Sequence, residues 1–239
     1  MKVLCLSIPL WFVLFFFITA CAIAQSPTRF YEKAKVGYKD SKTGQVIVPA
    51  QYYAGSDYYE GYALVVQDGK RGFLNESGKV AIPLIYDDAS VYFQGLARVC
   101  INKKHGYIDH NGMITIPLIY DFADDFIKSI ARVEKDGKFG FISNSGKDVI
   151  PLQFQDARNF SDGLAAVKKE GKWGYVDIAG KTVIPFEYEN AVPFNHGEAS
   201  VWKNGKGFVI NMNGKRLRDL EDPEKKEEKE RHEIKEKSE

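Results

Sequence analysis

The chain has 239 residues, 44% hydrophobic and 13% aromatic, enough apolar material for a substantial core. Its 33 Lys and Arg against 32 Asp and Glu leave a formal charge of +1, which argues against a dedicated nucleic-acid surface. Of the 3 cysteines, Cys5 and Cys21 fall in or beside an apolar leader and Cys100 stands alone, so the mature chain has no disulfide framework.

Met1-Lys2 is followed by a mainly apolar run from Val3 to Ala20 that includes Trp11, Phe12 and Phe15 to Phe17. This reads as a targeting segment and is set apart from the fold. The run is also long enough for a spanning helix, the competing reading. Two cleavage sites stand against that anchor. Ala22-Ile23-Ala24 before Gln25 is a small-residue site of the A-x-A kind, and Ile18-Thr19-Ala20-Cys21 is similar to the bacterial lipobox, whose Cys becomes the lipid-modified first residue. The leader is therefore 1–24, or 1–20 with Cys21 lipidated. The expected location is outside the cytoplasm, periplasmic, outer-membrane-associated or secreted, with a membrane contact only through a lipid on Cys21. Residues 25–35 form an irregular lead-in.

From Val36 onward a single unit recurs. Gly72, Gly106, Gly140 and Gly174 each precede an aromatic residue, and Pro49, Pro83, Pro117, Pro151 and Pro185 fall at a constant step of 34. A fixed period of that size denotes a repeat architecture. Ala63/Val65, Ala97/Val99, Ala131/Val133, Ala165/Val167 and Ala199/Val201 alternate as in a half-buried strand. Each such run closes on Asp68-Gly69, Asn102-Lys103, Asp136-Gly137, Glu170-Gly171 or Asn204-Gly205, the residue types that supply the positive φ of a two-residue hairpin, with Asn102-Lys103 the loosest match. A second strand then closes on Asn75 to Gly78, Asp109 to Gly112, Ser143 to Gly146, Asp177 to Gly180 or Asn211 to Gly214, each read as a type I turn with a glycine bulge. The third strand, Thr182 to Ile184 in the clearest copy, meets Pro185, which marks a strand end or an exposed edge. About ten irregular residues follow. Their apolar trio Tyr188/Ala191/Phe194 recurs as Tyr86/Ala89/Tyr92, Tyr120/Ala123/Phe126 and Phe154/Ala157/Phe160, and is read as a plug under the neighbouring unit's sheet.

The predicted fold is all-β, a tandem array of three-stranded antiparallel meanders with about five repeats over 36–217, stacked as an open, solenoid-like array because one meander alone buries too little. A closed propeller-like ring is the alternative, since the first copy reads as lacking its opening strand and the last its closing strand. The first copy, with its enlarged turn at Lys39 to Gly44, behaves as a cap. Residues 218–239 are a charged Glu/Lys tail, disordered or marginally helical.

The string Gly-Lys-Trp-Gly-Tyr-Val-Asp at 171–177, followed by Gly-Lys at 180–181 and Val-Ile-Pro at 183–185, resembles the WG-repeat family, over roughly Val36 to Leu217. Trp173 is the one copy with the Trp; Arg71, His105 and Phe139 replace it, and the final copy reads as one residue short around Lys206. The resemblance implies an all-β repeat protein, often exported or envelope-associated in bacteria, and brings no catalytic residues with it.

Tyr52, Tyr53, Tyr58, Tyr59 and Tyr62 are the densest aromatic cluster in the chain. Tyr52 and Tyr58 share the register of the plug residues, which points to core, whereas Tyr53 and Tyr59 are the candidates for stacking on a sugar ring or a partner's apolar surface. With Trp173, Tyr52, Tyr53, Tyr58 and Tyr59 make up the candidate contact surface for a protein or glycan partner. The histidines lack the spacing of a zinc site, and the glycines lie in hairpin turns rather than a phosphate-cradling loop. Asp87, Asp88, Asp121, Asp124 and Asp125 could be gathered by stacking, without the glycine-centred loop of calcium motifs. Cys100 occupies a column shared with Val66, Glu134, Lys168 and Trp202, which reads as solvent-facing or interfacial and makes its thiol incidental. No catalytic residue, metal or cofactor is expected. The reading is a noncatalytic binding or scaffolding protein of the bacterial envelope or secreted space that engages other proteins. The alternative is a carbohydrate-binding or hydrolytic module whose site is built from inter-repeat loops, with Asp87, Asp121, Asp124 and the Tyr52 to Tyr62 cluster as candidates.

Overall fold

The computed structural model describes residues 26–220; the targeting segment with Cys21, both cleavage sites and residues 221–239 of the tail lie outside them. Every regular element in the described residues is a strand. The first sheet contains β1 (Thr28–Glu32), β2 (Lys35–Lys39) and β3 (Val46–Tyr52), and the second β4 (Ala54–Tyr59), β5 (Tyr62–Gln67), β6 (Lys70–Asn75) and β7 (Val80–Tyr86). The third is β8 (Asp88–Ala89), β9 (Ala97–Ile101), β10 (Lys104–Ile108) and β11 (Ile114–Tyr120), and the fourth is β12 (Phe122–Ala123), β13 (Ile130–Lys135), β14 (Lys138–Ser143) and β15 (Asp148–Phe154). The fifth is β16 (Asp156–Ala157), β17 (Ala165–Lys169), β18 (Lys172–Val176) and β19 (Thr182–Tyr188), and the sixth is β20 (Asn190–Ala191), β21 (Glu198–Lys203), β22 (Lys206–Asn211) and β23 (Arg216–Asp219). Each is an antiparallel meander in chain order, and none is closed into a barrel.

The three-stranded plan is present in every unit, and the structure adds to it at both ends. Residues 28–32, read from sequence as part of an irregular lead-in, form β1. It turns into β2 through Lys33 and Ala34, whose φ of 48° and 61° give a two-residue hairpin without the usual Asn or Gly. The stretch expected to be irregular after each proline is also partly strand. The outer strand runs on past the proline to Tyr86, Tyr120, Phe154 or Tyr188, and Ala89, Ala123, Ala157 and Ala191 lie in short opening strands paired with the next meander. The last copy does have a closing strand, β23, and it is not one residue short. Lys203 faces Lys206 across its hairpin as Lys169 faces Lys172, so Gly207 simply occupies the place of Trp173 and Phe208 that of Gly174.

Proline and glycine explain each other. Pro83, Pro117, Pro151 and Pro185 sit inside the outer edge strands, exposed, so the absent N–H costs the sheet nothing. There the outer strand bulges across the sheet: Trp173 pairs with Tyr188 and Tyr175 with Ile184, two residues of β18 against four of β19. The bulge lays its backbone over Gly174, where an added Cβ would lie 2.7 Å from the Ile184 carbonyl oxygen. Gly72, Gly106 and Gly140 lie under the same crossing, at 2.6 to 2.7 Å.

Packing is modular. Five apolar clusters each join one sheet to the next: Phe73, Ile82 and Tyr86 of the second sheet meet Ala89, Tyr92, Ala97, Val99 and Ile108 of the third, and the same positions recur at the other interfaces. The core is thus a series of layers divided by the backbone of each sheet. The apolar trio acts as the expected plug, with ring pairs Tyr38–Tyr58, Phe73–Tyr92, Tyr107–Phe126, Phe141–Phe160 and Tyr175–Phe194 at 4.7 to 5.3 Å. Among the described residues, neither a strand pair nor an apolar cluster joins the sixth sheet to the first. Where inner sheets put Ala, Val and Leu on the face toward the preceding sheet, the first sheet presents Thr28, Phe30 and Lys39, two of them exposed. That polar face is the cap of an open array.

Candidate functional site

Antiparallel order places the turns on two rims. On one rim lie the hairpins that precede β2, β6, β10, β14, β18 and β22, together with the connectors between sheets. All six of these strands begin with lysine: Lys35, Lys70, Lys104, Lys138, Lys172 and Lys206. Lys70 donates to Asp87 Oδ1 at 2.5 Å, and Asp87 Oδ2 accepts from the Asn102 N–H at 2.8 Å. Lys104, Asp121 and the Asp136 N–H repeat this at 2.5 and 2.9 Å. Hydrogen bonds from Lys70 and Lys104, followed by those turn N–H groups, hold both carboxyls below the usual Asp range. Gln155 and Glu189 cap the next two hairpins, through the N–H groups of Gly171, Asn204 and Gly205 at 2.6 to 3.0 Å. At the first interface Tyr53 takes this position, with Lys35 Nζ 3.5 Å from its ring centroid.

That contact gives Tyr53 a structural occupation although the residue is 66% exposed. Tyr52, 4% exposed, belongs to the cluster between the first two sheets, and Tyr58 packs on the Tyr38 ring and donates to the Asn75 carbonyl at 3.0 Å. Burial pushes the Tyr58 hydroxyl up to about 12. Trp173 is 4% exposed, packed between the fifth and sixth sheets with the Arg158 guanidinium 5.2 Å from its ring, and is not brought to the tyrosines. Of the candidate contact residues, Tyr59 alone combines exposure with an unoccupied ring, at 47%.

The acidic cluster is drawn into ion pairs. Asp88 faces Arg98 at 2.8 Å and Arg71 at 3.4 Å, Asp125 faces Arg98 at 3.3 Å, and Asp124 faces Arg132 at 2.9 Å. Burial alone would raise Asp88, yet the Arg98 hydrogen bond and charge bring it below the usual range. These arginines are clamps that the sequence reading passed over. Arg29, Arg98 and Arg132 occupy one strand position in three sheets, and each reaches the opening strand or plug of the next sheet: Arg29 to Asp57 at 2.7 Å and the Gly55 carbonyl, Arg98 to Asp125, and Arg132 to the Ala157 carbonyl. Cys100 is 5% exposed, which overturns the solvent-facing reading; burial, then Asp87 and Asp88, push its thiol up. Burial and the Arg98 charge lower His105.

The opposite rim holds a second network, also missed. Glu60 Oε2 accepts from the Gly95 N–H at 3.0 Å and lies 3.0 Å from His110 Nε2, while the His110 ring stacks on Tyr62 at 5.2 Å and 6°. Gln94 and Asp162 reach the N–H groups of Ser129 and Gly197 in the same way at 3.2 and 2.8 Å, so one turn caps the next. The periodic Glu60-Gly61, Gln94-Gly95, Asp162-Gly163 and His196-Gly197 dipeptides were the available signal. Among the described residues, no group of three or more His, Cys, Asp or Glu side chains could hold a metal ion.

This construction agrees with what the sequence matches. Five tandem matches to the WG containing repeat cover residues 37–70, 72–104, 106–139, 139–173 and 173–206. The chain belongs to the WG-repeat family. Within its WG repeats the Trp is kept once and acts as packing, whereas the glycine is kept in five sheets because the outer strand crosses it. No curated protein matches the sequence. Solved structures with partial similarity include a eukaryotic initiation factor, 12% identical over 80% of this chain and 62% of that one, TM-score 0.45. Hsv2p of Kluyveromyces lactis is 8% identical over 79% and 71%, TM-score 0.45, and the dihydro-heme d1 dehydrogenase NirN in complex with DHE is 12% identical over 80% and 54%, TM-score 0.40. The chain spans 62% of the length of the first of these.

Proposed function

We propose that this WG-repeat protein is a noncatalytic binding or scaffolding protein, exported to the bacterial envelope or the secreted space, that engages other proteins through its rims. The observation that carries this reading is the fate of the acidic cluster: Asp87, Asp121 and Asp124, the best candidates for acid or base chemistry, each bond a Lys or Arg and hold the array together. The carboxyls of Asp87 and Asp121, held below the usual Asp range by those lysine and turn N–H bonds, are not poised near neutrality for proton transfer. Interface positions repeat from sheet to sheet, while rim positions such as Tyr59, Phe93, Ile127, Ser161 and Asn195 differ, which suits a scaffold whose specificity lies at its turns.

A hydrolase panel and a glycan array on the chain test this. The expected result is no turnover; turnover abolished by Asp121→Asn with the fold intact would sink the reading in favour of the hydrolytic module. Export rests on the leader sequence. Intact mass of the protein from its native host should begin at Cys21 or Gln25, and acyl chains on Cys21 would place it on a membrane surface. A retained Met1 would contradict cleavage.

A further inference from the structure

The hairpins of the lysine rim differ between the two halves of the array. In the first three sheets the strand-opening lysine is answered: Lys35 by the Tyr53 ring, Lys70 by Asp87 and Lys104 by Asp121, and the residues opposite them across the hairpin are Glu32, Gln67 and Ile101. In the last three, lysine faces lysine: Lys135 opposite Lys138, Lys169 opposite Lys172, and Lys203 opposite Lys206. Like charges directly opposite on a hairpin are destabilising. Of these six lysines Lys203 alone has a carboxylate within ion-pair distance among the described residues, Glu187 at 2.7 Å, and Lys138, Lys169, Lys172 and Lys206 are exposed. The connector residue that answers lysine earlier in the chain is here Gln155, which is uncharged, or Glu189, whose oxygens accept from Asn204 and Gly205. The turns themselves add only Asp136 and Glu170.

Three successive packed sheets therefore carry an opposed lysine pair at the same rim, an arrangement that folding alone does not favour. From this charge complementarity we infer that the row of hairpins on the fourth to sixth sheets binds an acidic, Asp/Glu-rich segment of a partner protein in extended form. This inference rests on the binding reading above and names the partner. Stacked sheets lie about 10 Å apart, and a polyproline-like chain repeats every three residues, about 9 Å, so one carboxylate per turn of such a segment meets one hairpin per sheet. The six side chains are all lysine. Lysine is a point charge without the bidentate guanidinium fork suited to phosphate, which disfavours nucleic acid.

The test is fluorescence anisotropy of a labelled Glu-rich 12-residue peptide with the full chain at 50 and 300 mM salt. The triple variant Lys138→Gln/Lys172→Gln/Lys206→Gln removes one lysine from each opposed pair. The control Lys147→Gln/Lys181→Gln/Lys215→Gln removes equal charge from exposed positions on the opposite rim of the same sheets. Expected are binding at low salt that weakens at high salt, a loss of about tenfold or more in the row variant, less than twofold in the control, and a row variant that melts no lower than wild type because repulsion is relieved. Absent binding at 50 mM salt, or equal loss in both triples, would overturn the inference while leaving the noncatalytic reading standing. Tighter, row-dependent binding of heparin or single-stranded DNA would assign the row to another polyanion and overturn it as stated.

Discussion

Gly174 and Gly171 stand three residues apart and are glycine for different reasons, which makes them a sharp test of how the repeat is built. Gly171 sits in a hairpin turn at φ 78° with nothing within 4 Å of an added Cβ. Gly174 has no such dihedral, but its Cβ would lie 2.7 Å from the Ile184 oxygen and 3.0 Å from both Phe186 N and Pro185 C, all of them backbone. No flexible side chain can yield there, and displacing β19 would drag Ile184, 1% exposed, out of the cluster between the fifth and sixth sheets. Gly174→Ala should therefore cost about 3 kcal/mol, the upper end of overpacking, or roughly 6–12 °C in melting temperature if the array melts as one unit. Gly171→Asn keeps a residue that tolerates the left-handed region and should cost less than about 0.5 kcal/mol. Urea denaturation of the two variants, followed by Trp fluorescence and circular dichroism, makes the comparison. A Gly174→Ala chain as stable as Gly171→Asn would refute the account of the glycine and proline pair.

Ala131, 1% exposed in the cluster between the third and fourth sheets, leaves no partner for a charge, so Ala131→Asp should lose several kcal/mol and raise hydrogen exchange in both sheets together; exchange confined to β13 would contradict that. Tyr107→Phe removes the hydroxyl that donates to the Asp124 carbonyl at 2.5 Å and should cost about 1 kcal/mol in chemical denaturation. Phe73 and Phe141 stand at the equivalent position, so a loss of the fold would be a contrary result. Acid should destabilise the array: Asp87, Asp88, Asp121 and Glu198 have folded values below their ordinary ones, so their contribution is whole above about pH 5 and fades as pH falls through about 4 and below. Thermal melts from pH 6 to 3 read this, and a flat profile would show that the rim carboxylates do not stabilise the fold.

Much of this structure was legible because a repeat writes each geometric requirement five times. The turn at Asp177 to Gly180 could be read from side-chain acceptor and glycine, and the structure shows Asp177 Oδ1 accepting from Ala179 and Lys181 with Gly180 at φ 77°. What escaped were features without a compositional signature. The turn at Lys33-Ala34 reaches positive φ with residues that rarely do, so β1 looked irregular. The opening strands are two residues long, below any periodicity. The proline could be placed at an edge but not inside a bulge, because a bulge is a relation between two strands. The candidate contact surface fared less well for a related reason. Tyr53 is answered by Lys35 from the preceding sheet, and the Glu60–His110 pair joins residues 50 apart, so both depend on how sheets stack.

The central claim is an open stack of six sheets in which each inner sheet has two packed faces and each end sheet one. Hydrogen exchange on the intact protein tests it most directly, since protection follows the number of interfaces that must open. The open array predicts that β10 and β14 exchange slowest and that β2 and β22 exchange fastest among the equivalent strands. Equal protection of β2, β10, β14 and β22 would mean that the first and last sheets are packed on each other, and would replace the open array with a closed ring.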